Sequence, residues 1–114
     1  MTYQEAVEKI DSRLLFGMKP GLERMRALMD ELGGPQEKVE FVHICGTNGK
    51  GSVCALVSSV LKESGYKTGL NISPYVLNFR ERFQIDGQMI TEEELAGEMD
   101  VIWPAVAGSY THLR

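Results

Sequence analysis

Cysteine is scarce in this 114-residue sequence, with Cys45 and Cys54 the two thiols. They form no C-x-x-C pair and no cluster of histidine and cysteine surrounds them, which argues against a zinc site and for a reduced, cytoplasmic setting. Positive charge is not in excess. The formal net charge is −4, which removes the reason to expect broad nucleic-acid or membrane-surface binding. No apolar run approaches the ~20 residues needed to span a bilayer. The first residues, MTYQEAVEKIDSR, are polar and charged and do not spell a signal peptide. There are no repeats and no low-complexity tracts. What remains is an ordinary globular composition, 43% hydrophobic and 25% charged, with enough apolar material for a core. The length suits one compact domain or part of a larger one.

Local signals divide the chain. Thr2 and Glu5 have capping-box spacing and open a helix expected from Tyr3 to Arg13, with Ala6, Val7, Ile10 and Leu14 on one face. Gly17, Pro20 and Gly21 punctuate a loop. A second helix, from Leu22 to Leu32, carries the apolar stripe Leu22, Met25, Leu28, Met29 and Leu32 and ends at Gly33-Gly34-Pro35. Residues 39–45, VEFVHIC, are β-branched and apolar and predict a buried strand. A helix follows the next loop, with Val53, Leu56, Val57, Val60 and Leu61 at helical spacing and Gly65 as its cap. Residues 66–73 predict another strand. Strand, glycine loop, helix and strand make a βαβ unit, which implies a parallel sheet and an α/β fold. Asp86-Gly87 marks a hairpin turn in RFQIDGQMI. Thr91 and Glu94 cap a last helix carrying Leu95, Met99 and Ile102, which Pro104 is expected to disturb or end.

The loop between strand and helix, HICGTNGKGSVC, departs from the common phosphate-binding spelling G-x-x-x-x-G-K-[ST]. Ile44 stands where that pattern has glycine, and Gly51 where it has a hydroxyl. Its setting still favours an anion. Gly46, Gly49 and Gly51 let the backbone approach without a Cβ in the way, and free N–H groups at the helix start point outward along a favourable dipole. Lys50 reaches terminal phosphates as a point charge. Ser52, one place later than usual, offers a hydroxyl to Mg²⁺ or phosphate. Three other features have plainer explanations. His43, in an apolar strand, reads as a satisfied core histidine, Cys54 as packing, and Met25 and Met29 as core stripe. The run Arg80-Glu81-Arg82 is either a solvated ion-pair set or, just beyond a strand's carboxyl end, part of a ligand site.

GTNGKGS together with SPYVLNFRERF resembles the folylpolyglutamate synthase/dihydrofolate synthase family, a branch of the Mur ligase superfamily, whose P-loop is spelled in this shifted way. RLLFGMKPGLERMRALMDELGGP is similar to the leading helices of that family, and the resemblance runs from about residue 3 to residue 105. It implies a P-loop NTPase-like parallel sheet flanked by helices, here an incomplete Mur ligase-type ATPase domain. It also implies a reaction: ATP phosphorylates a carboxylate, and the amine of L-glutamate attacks the acyl phosphate. By the same resemblance Thr47, Asn48, Gly49 and Lys50 hold ATP with Gly46, Gly51 and Ser52 completing the loop, and Lys50 is the catalytic candidate. Ser73 is a magnesium ligand beside Ser52. Gly17, Met18, Lys19 and Pro20 lie near the pterin substrate, with Arg82 a further candidate near the folate. Cofactors would be ATP and Mg²⁺. Partners would be small molecules, namely folate or dihydropteroate, L-glutamate and ATP, with no nucleic acid and no membrane, and the intact protein would be a monomer.

The sequence departs from the family's pattern in two places. Tyr75 stands where many members have histidine, so position 75 inherits no role. The family's further glutamate and histidine metal ligands, its modified lysine and its C-terminal glutamate-ligase domain find no match, and GSYTHLR does not resemble the family's continuation. Residues 1–114 are therefore expected to be the N-terminal part of the ATP-binding domain. Two alternatives stay open: a piece of a peptidoglycan-precursor Mur ligase, and a non-catalytic nucleotide-binding chain. The isolated 114-residue chain is expected not to ligate glutamate. ATP-dependent addition of labelled glutamate to folate or dihydropteroate by that chain would contradict this.

Overall fold

The computed structural model describes residues 1–15, 22–46 and 48–112, with the backbone alone for 13–15 and 107–112. Two compact units form, one from Met1–Phe41 with Glu93–Arg114 and the other from Val42–Glu92.

The first unit is helical. Helix α1, Tyr3–Leu15, starts at Thr2, whose Oγ1 accepts the Glu5 N–H at 3.1 Å and donates to the Glu5 carboxylate at 3.1 Å. Orphan donors at the helix start are thereby satisfied by the two residues whose spacing predicted it. Helix α2, Glu23–Glu31, closes with Gly33 at φ 84° and Gly34 at φ 68°. Gly34 donates to the Met29 carbonyl and Gly33 to that of Asp30, the Schellman pattern that left-handed glycine permits. A 3₁₀ turn follows at Pro35–Lys38. Helix α4, Glu92–His112, supplies most of the buried residues: Leu95, Ala96, Met99 and Ala105, with Ala6 of α1 wholly enclosed. Polar contacts join α1 to α4 as well. The Met1 ammonium meets the Asp100 carboxylate at 2.6 Å, and Lys9 Nζ lies 4.6 Å from the Trp103 ring centre.

Pro104 does not end α4, which continues for eight residues to His112. Proline removes one N–H and crowds the preceding turn. Here the helix absorbs that local loss, and Ala105, immediately after it, is buried. The α2 stripe also differs from expectation. No residue of α2 is buried, and Leu22 and Met25 are exposed.

In the second unit, helix α3 is Lys50–Glu63. Its end follows the same glycine logic as that of α2: Gly65 has φ 94°, and Tyr66 and Gly65 donate to the carbonyls of Leu61 and Lys62. The sheet comprises β1 Gly69–Asn71, β2 Phe83–Ile85 and β3 Gln88–Met89, in the order β1-β2-β3 with both pairings antiparallel. Asp86 at φ 51° and Gly87 at φ 83° form the two-residue turn between β2 and β3, the hairpin geometry that Asp-Gly favours. Residues 39–45 are not a strand, and Val39, Phe41 and Val42 are exposed. The apolar run meets the compositional requirement for a central strand, but a strand also needs a neighbour, and among the described residues none pairs with it. The expected parallel βαβ pairing is therefore not present in the described residues. No described helix is long and apolar enough to cross a membrane.

Asp86 also joins the turn to the segment before β1. Its carboxylate accepts the Thr68 N–H at 2.9 Å, its own N–H donates to the Thr68 carbonyl, and Thr68 is buried. Asp86→Ala removes an acceptor for a buried donor and places a Cβ-bearing residue without a helpful polar side chain at positive φ. A loss of about 1–3 kcal/mol is expected, read from urea unfolding midpoints, with Asp86→Asn close to wild type.

Candidate functional site

The glycine loop leads into α3 without a cap. Gly49, at φ 73°, is the residue before the helix and brings no side chain to its N–H groups. The first intrahelical bond runs from Val53 N to the Gly49 carbonyl at 3.0 Å. The N–H groups of Lys50, Gly51 and Ser52 thus have no helical acceptor. No acidic residue stands in the first turn, and Gly46, Asn48, Gly49, Lys50, Gly51 and Ser52 are all exposed. Gly46 has φ 148°; a Cβ there would sit 4.0 Å from the Asn48 carbonyl oxygen and from Lys50 Cγ. At Gly49 and Gly51 a Cβ would meet nothing within 4 Å, so at Gly49 it is the positive φ, and not crowding, that selects glycine. The result is an open, uncapped helix start with positive backbone ends and one lysine, which is how an anion site is built.

A second structured loop follows β1. It begins at Ser73, whose peptide bond to Pro74 is cis, and ends in a 3₁₀ turn, Phe79–Arg82, capped by Asn78. Asn78 Oδ1 accepts the Arg80 N–H at 2.9 Å. The Glu81 carboxylate turns back and accepts three successive N–H groups, from Val76 at 3.0 Å, Leu77 at 2.9 Å and Asn78 at 2.7 Å. The N–H of Val76, then those of Leu77 and Asn78, hold the Glu81 carboxyl below its ordinary value, because a bond to the charged form favours it.

Arg80 donates from Nη1 to the Ile90 carbonyl at 2.9 Å. Arg82 places its guanidinium 5.3 Å from the Tyr75 ring centre and 5.1 Å from that of Phe79, within cation–π reach of both. The two rings meet edge to face at 5.6 Å. Arg82 Nε is enclosed with no hydrogen-bond partner among the described residues. The Arg-Glu-Arg run is therefore more than a solvated charge cluster. Its carboxylate organises a loop and Arg82 lies on an aromatic pair.

Matches to known proteins cover nearly all of the chain. No protein-family model matches it. A dihydrofolate synthase/folylpolyglutamate synthase of Bacillus subtilis is 45% identical over 104 residues, 91% of this chain and 24% of that protein. The solved folylpolyglutamate synthetase of Lactobacillus casei superposes with a TM-score of 0.80 at 34% identity, covering 99% of this chain and 27% of that one. A solved complex of FPGS with AMPPCP and folate gives 0.86 at 31% identity, covering 99% of this chain and 28% of its own. The chain belongs to the folylpolyglutamate synthase/dihydrofolate synthase family. It spans about a quarter of the length of the relatives it matches. Its helices and small sheet are part of the family's Mur ligase-type α/β fold.

Within that family frame, the structure brings Gly46, Asn48, Gly49, Lys50, Gly51 and Ser52 together at one helix start, and it places Ser73 at the head of the second loop. Gly17, Met18, Lys19, Pro20 and Thr47 lie outside the described residues. His43 is exposed and not a core histidine, because the strand expected to enclose it does not pair; Cys54 is half-buried and Cys45 exposed. Tyr75, to which the sequence assigned no role, carries Arg82. Glu81 proves to be an organiser, and the signal for it was local: Asn78-x-x-Glu81 has capping-box spacing.

The folded Glu81 carboxyl titrates below its unfolded value. Its contribution to stability is therefore present above the unfolded value and is lost as pH falls through the depressed one. The melting-temperature difference between wild type and Glu81→Gln should be largest near neutrality and close as pH falls below the ordinary glutamate value and through the depressed one. A gap unchanged across that range would exclude the charged acceptor.

Proposed function

We propose that the chain carries the nucleotide-binding part of an ATP-dependent ligase that joins L-glutamate to dihydropteroate, folate or a folylpolyglutamate. The observation that carries this reading is the uncapped α3 start with Lys50, in a chain that belongs to a family whose solved members include an AMPPCP–folate complex. Residues 1–114 would be the N-terminal part of the Mur ligase-type ATP-binding domain. The exposed apolar faces of α2 and α3 fit a piece of a larger core. The partners would be small molecules, with no nucleic acid and no membrane, and the whole protein would be a cytoplasmic monomer.

The chemistry follows from the geometry. The N–H groups of Lys50, Gly51 and Ser52 point at a bound polyphosphate, and Gly46 and Gly49 let the backbone come close to it. Asn48 adjoins them, and Thr47 belongs to the nucleotide loop by family likeness. Lys50 places a compact positive charge where the γ-phosphoryl charge spreads as it moves to the substrate carboxylate. L-Glutamate then attacks the acyl phosphate through its amine, and phosphate leaves.

Magnesium fits the residues present. Among the described residues no cluster of three acidic, histidine or cysteine side chains could hold a metal. Mg²⁺, however, keeps several waters and takes phosphate oxygens, and needs few protein ligands. Ser52 and Ser73 offer exposed hydroxyls for that role. When bound, the ion supplies charge neutralisation. On the substrate side, Arg82 over Tyr75 and Phe79 offers a guanidinium to a carboxylate of folate or glutamate, and Gly17, Met18, Lys19 and Pro20 belong to the pterin end by family likeness.

Titration calorimetry of the chain with ATP and magnesium tests the reading. Wild type should bind, and Lys50→Ala should weaken binding roughly 10–100-fold, the worth of one charge-assisted contact. Equal binding by both would remove Lys50 from the site. On a longer form of the protein, ligation to a muramyl substrate in place of a pterin one would move it to the peptidoglycan branch.

A further inference from the structure

The loop from Ser73 to Leu77 has one packing contact, the Tyr75 ring against Phe79 and Arg82. Ser73, Pro74 and Tyr75 are exposed, Val76 is 82% exposed and Leu77 91%. That single ring contact does not fix the backbone of the other residues, and polar contacts do. One end is tied at the Arg82 carbonyl, which accepts the Ile72 N–H at 3.3 Å and Asn71 Nδ2 at 2.9 Å. The other end is tied at the Glu81 carboxylate through Val76, Leu77 and Asn78. Three residues lie between the anchors, and Ser73 is the first of them.

Of the carboxylate, an ordinary capping box requires only that it accept the N-cap N–H, here that of Asn78. The bonds from Val76 and Leu77 exceed it, and they gather the loop rather than the turn. A glutamine could not reproduce them, because its amide has one acceptor oxygen and turns donors toward the remaining N–H groups.

We propose that Glu81 is a positioning residue for the ligation, fixing the Ser73 hydroxyl at the magnesium–phosphate end of the site by holding the N–H groups of Val76, Leu77 and Asn78. This rests on the nucleotide reading above, with Ser73 as its magnesium ligand. Glu81 touches neither nucleotide nor metal in this role. It acts on the metal through the loop, as residues behind a metal ligand commonly do.

The test compares the wild-type chain with Glu81→Gln, using ATP titrations in magnesium and in EDTA. Glu81→Gln should raise the magnesium concentration needed for half-maximal enhancement of ATP binding roughly tenfold, and leave ATP affinity in EDTA unchanged. Amide exchange at Val76, Leu77 and Asn78 should accelerate in the variant. Glu81→Ala should behave like Glu81→Gln and regain magnesium dependence on addition of acetate, which can occupy the three-donor pocket. A merely structural cap would lower ATP affinity equally with and without magnesium, and that result would overturn the proposal. An unchanged magnesium midpoint in Glu81→Gln would overturn it too. Failure of the wild type to bind ATP in either condition is a different result, and it refutes the nucleotide reading together with this extension of it.

Discussion

Backbone N–H groups that regular structure leaves without an acceptor set the character of the unit formed by residues 42–92. Every helix start and every irregular loop creates such groups, and they must find a partner or face water. The fold treats two sets of them in opposite ways. At the start of α3 they are left open, because Gly49 brings no side chain. After β1 they are closed from within, because Glu81 reaches back to three of them. The first choice leaves donors open to a foreign anion, as the proposed nucleotide role requires. The second uses an internal anion to give shape to a loop that has no core of its own.

The same division shows how an acidic chain would accommodate the polyphosphate of the proposed function. A net charge of −4 gives no long-range attraction to such a ligand. Local geometry replaces it: no acidic residue stands in the first turn of α3, and the helix dipole and Lys50 act over the first few ångströms. On the second loop Glu81 directs its charge into amide donors, and Arg82 rests on two rings rather than on a carboxylate. The guanidinium is thus held by aromatic faces, with Nε enclosed and no ion pair to a carboxylate among the described residues.

Features encoded within a few residues were legible in the sequence. Thr2 with Glu5, Asp86 with Gly87, and Gly33 and Gly65 past their helices each appear where their spacing places them, since each involves a contact between near neighbours. Residues 39–45 were not legible for a different reason. Their composition is right for a central strand, but strandhood belongs to a pair, and the partner is not among the described residues. Pro104 illustrates a third case. It was expected to disturb or end the helix, yet α4 continues past it to His112, with Leu95, Met99 and Ala105 buried, and burial of that kind can outweigh a single lost bond. At the start of α3, the exposed Gly46, Gly49 and Gly51 and the lack of a side-chain cap agree with the glycine spacing, and the nucleotide role of that loop is the reading proposed above. The work of Glu81 was half visible as a capping pair, and its hold on Val76 and Leu77 required the fold.

The exposed run at residues 39–45 also bears on how the chain behaves in company. Val39, Phe41 and Val42 project from a backbone whose hydrogen-bonding groups have no ladder partner among the described residues, and Glu40 is the one carboxylate among them. An extended, β-branched, weakly charged segment of this kind is a template on which another strand can add. Left uncovered, it makes the chain's colloidal fate depend on concentration, through contacts between copies that have nothing to do with phosphate, magnesium or folate.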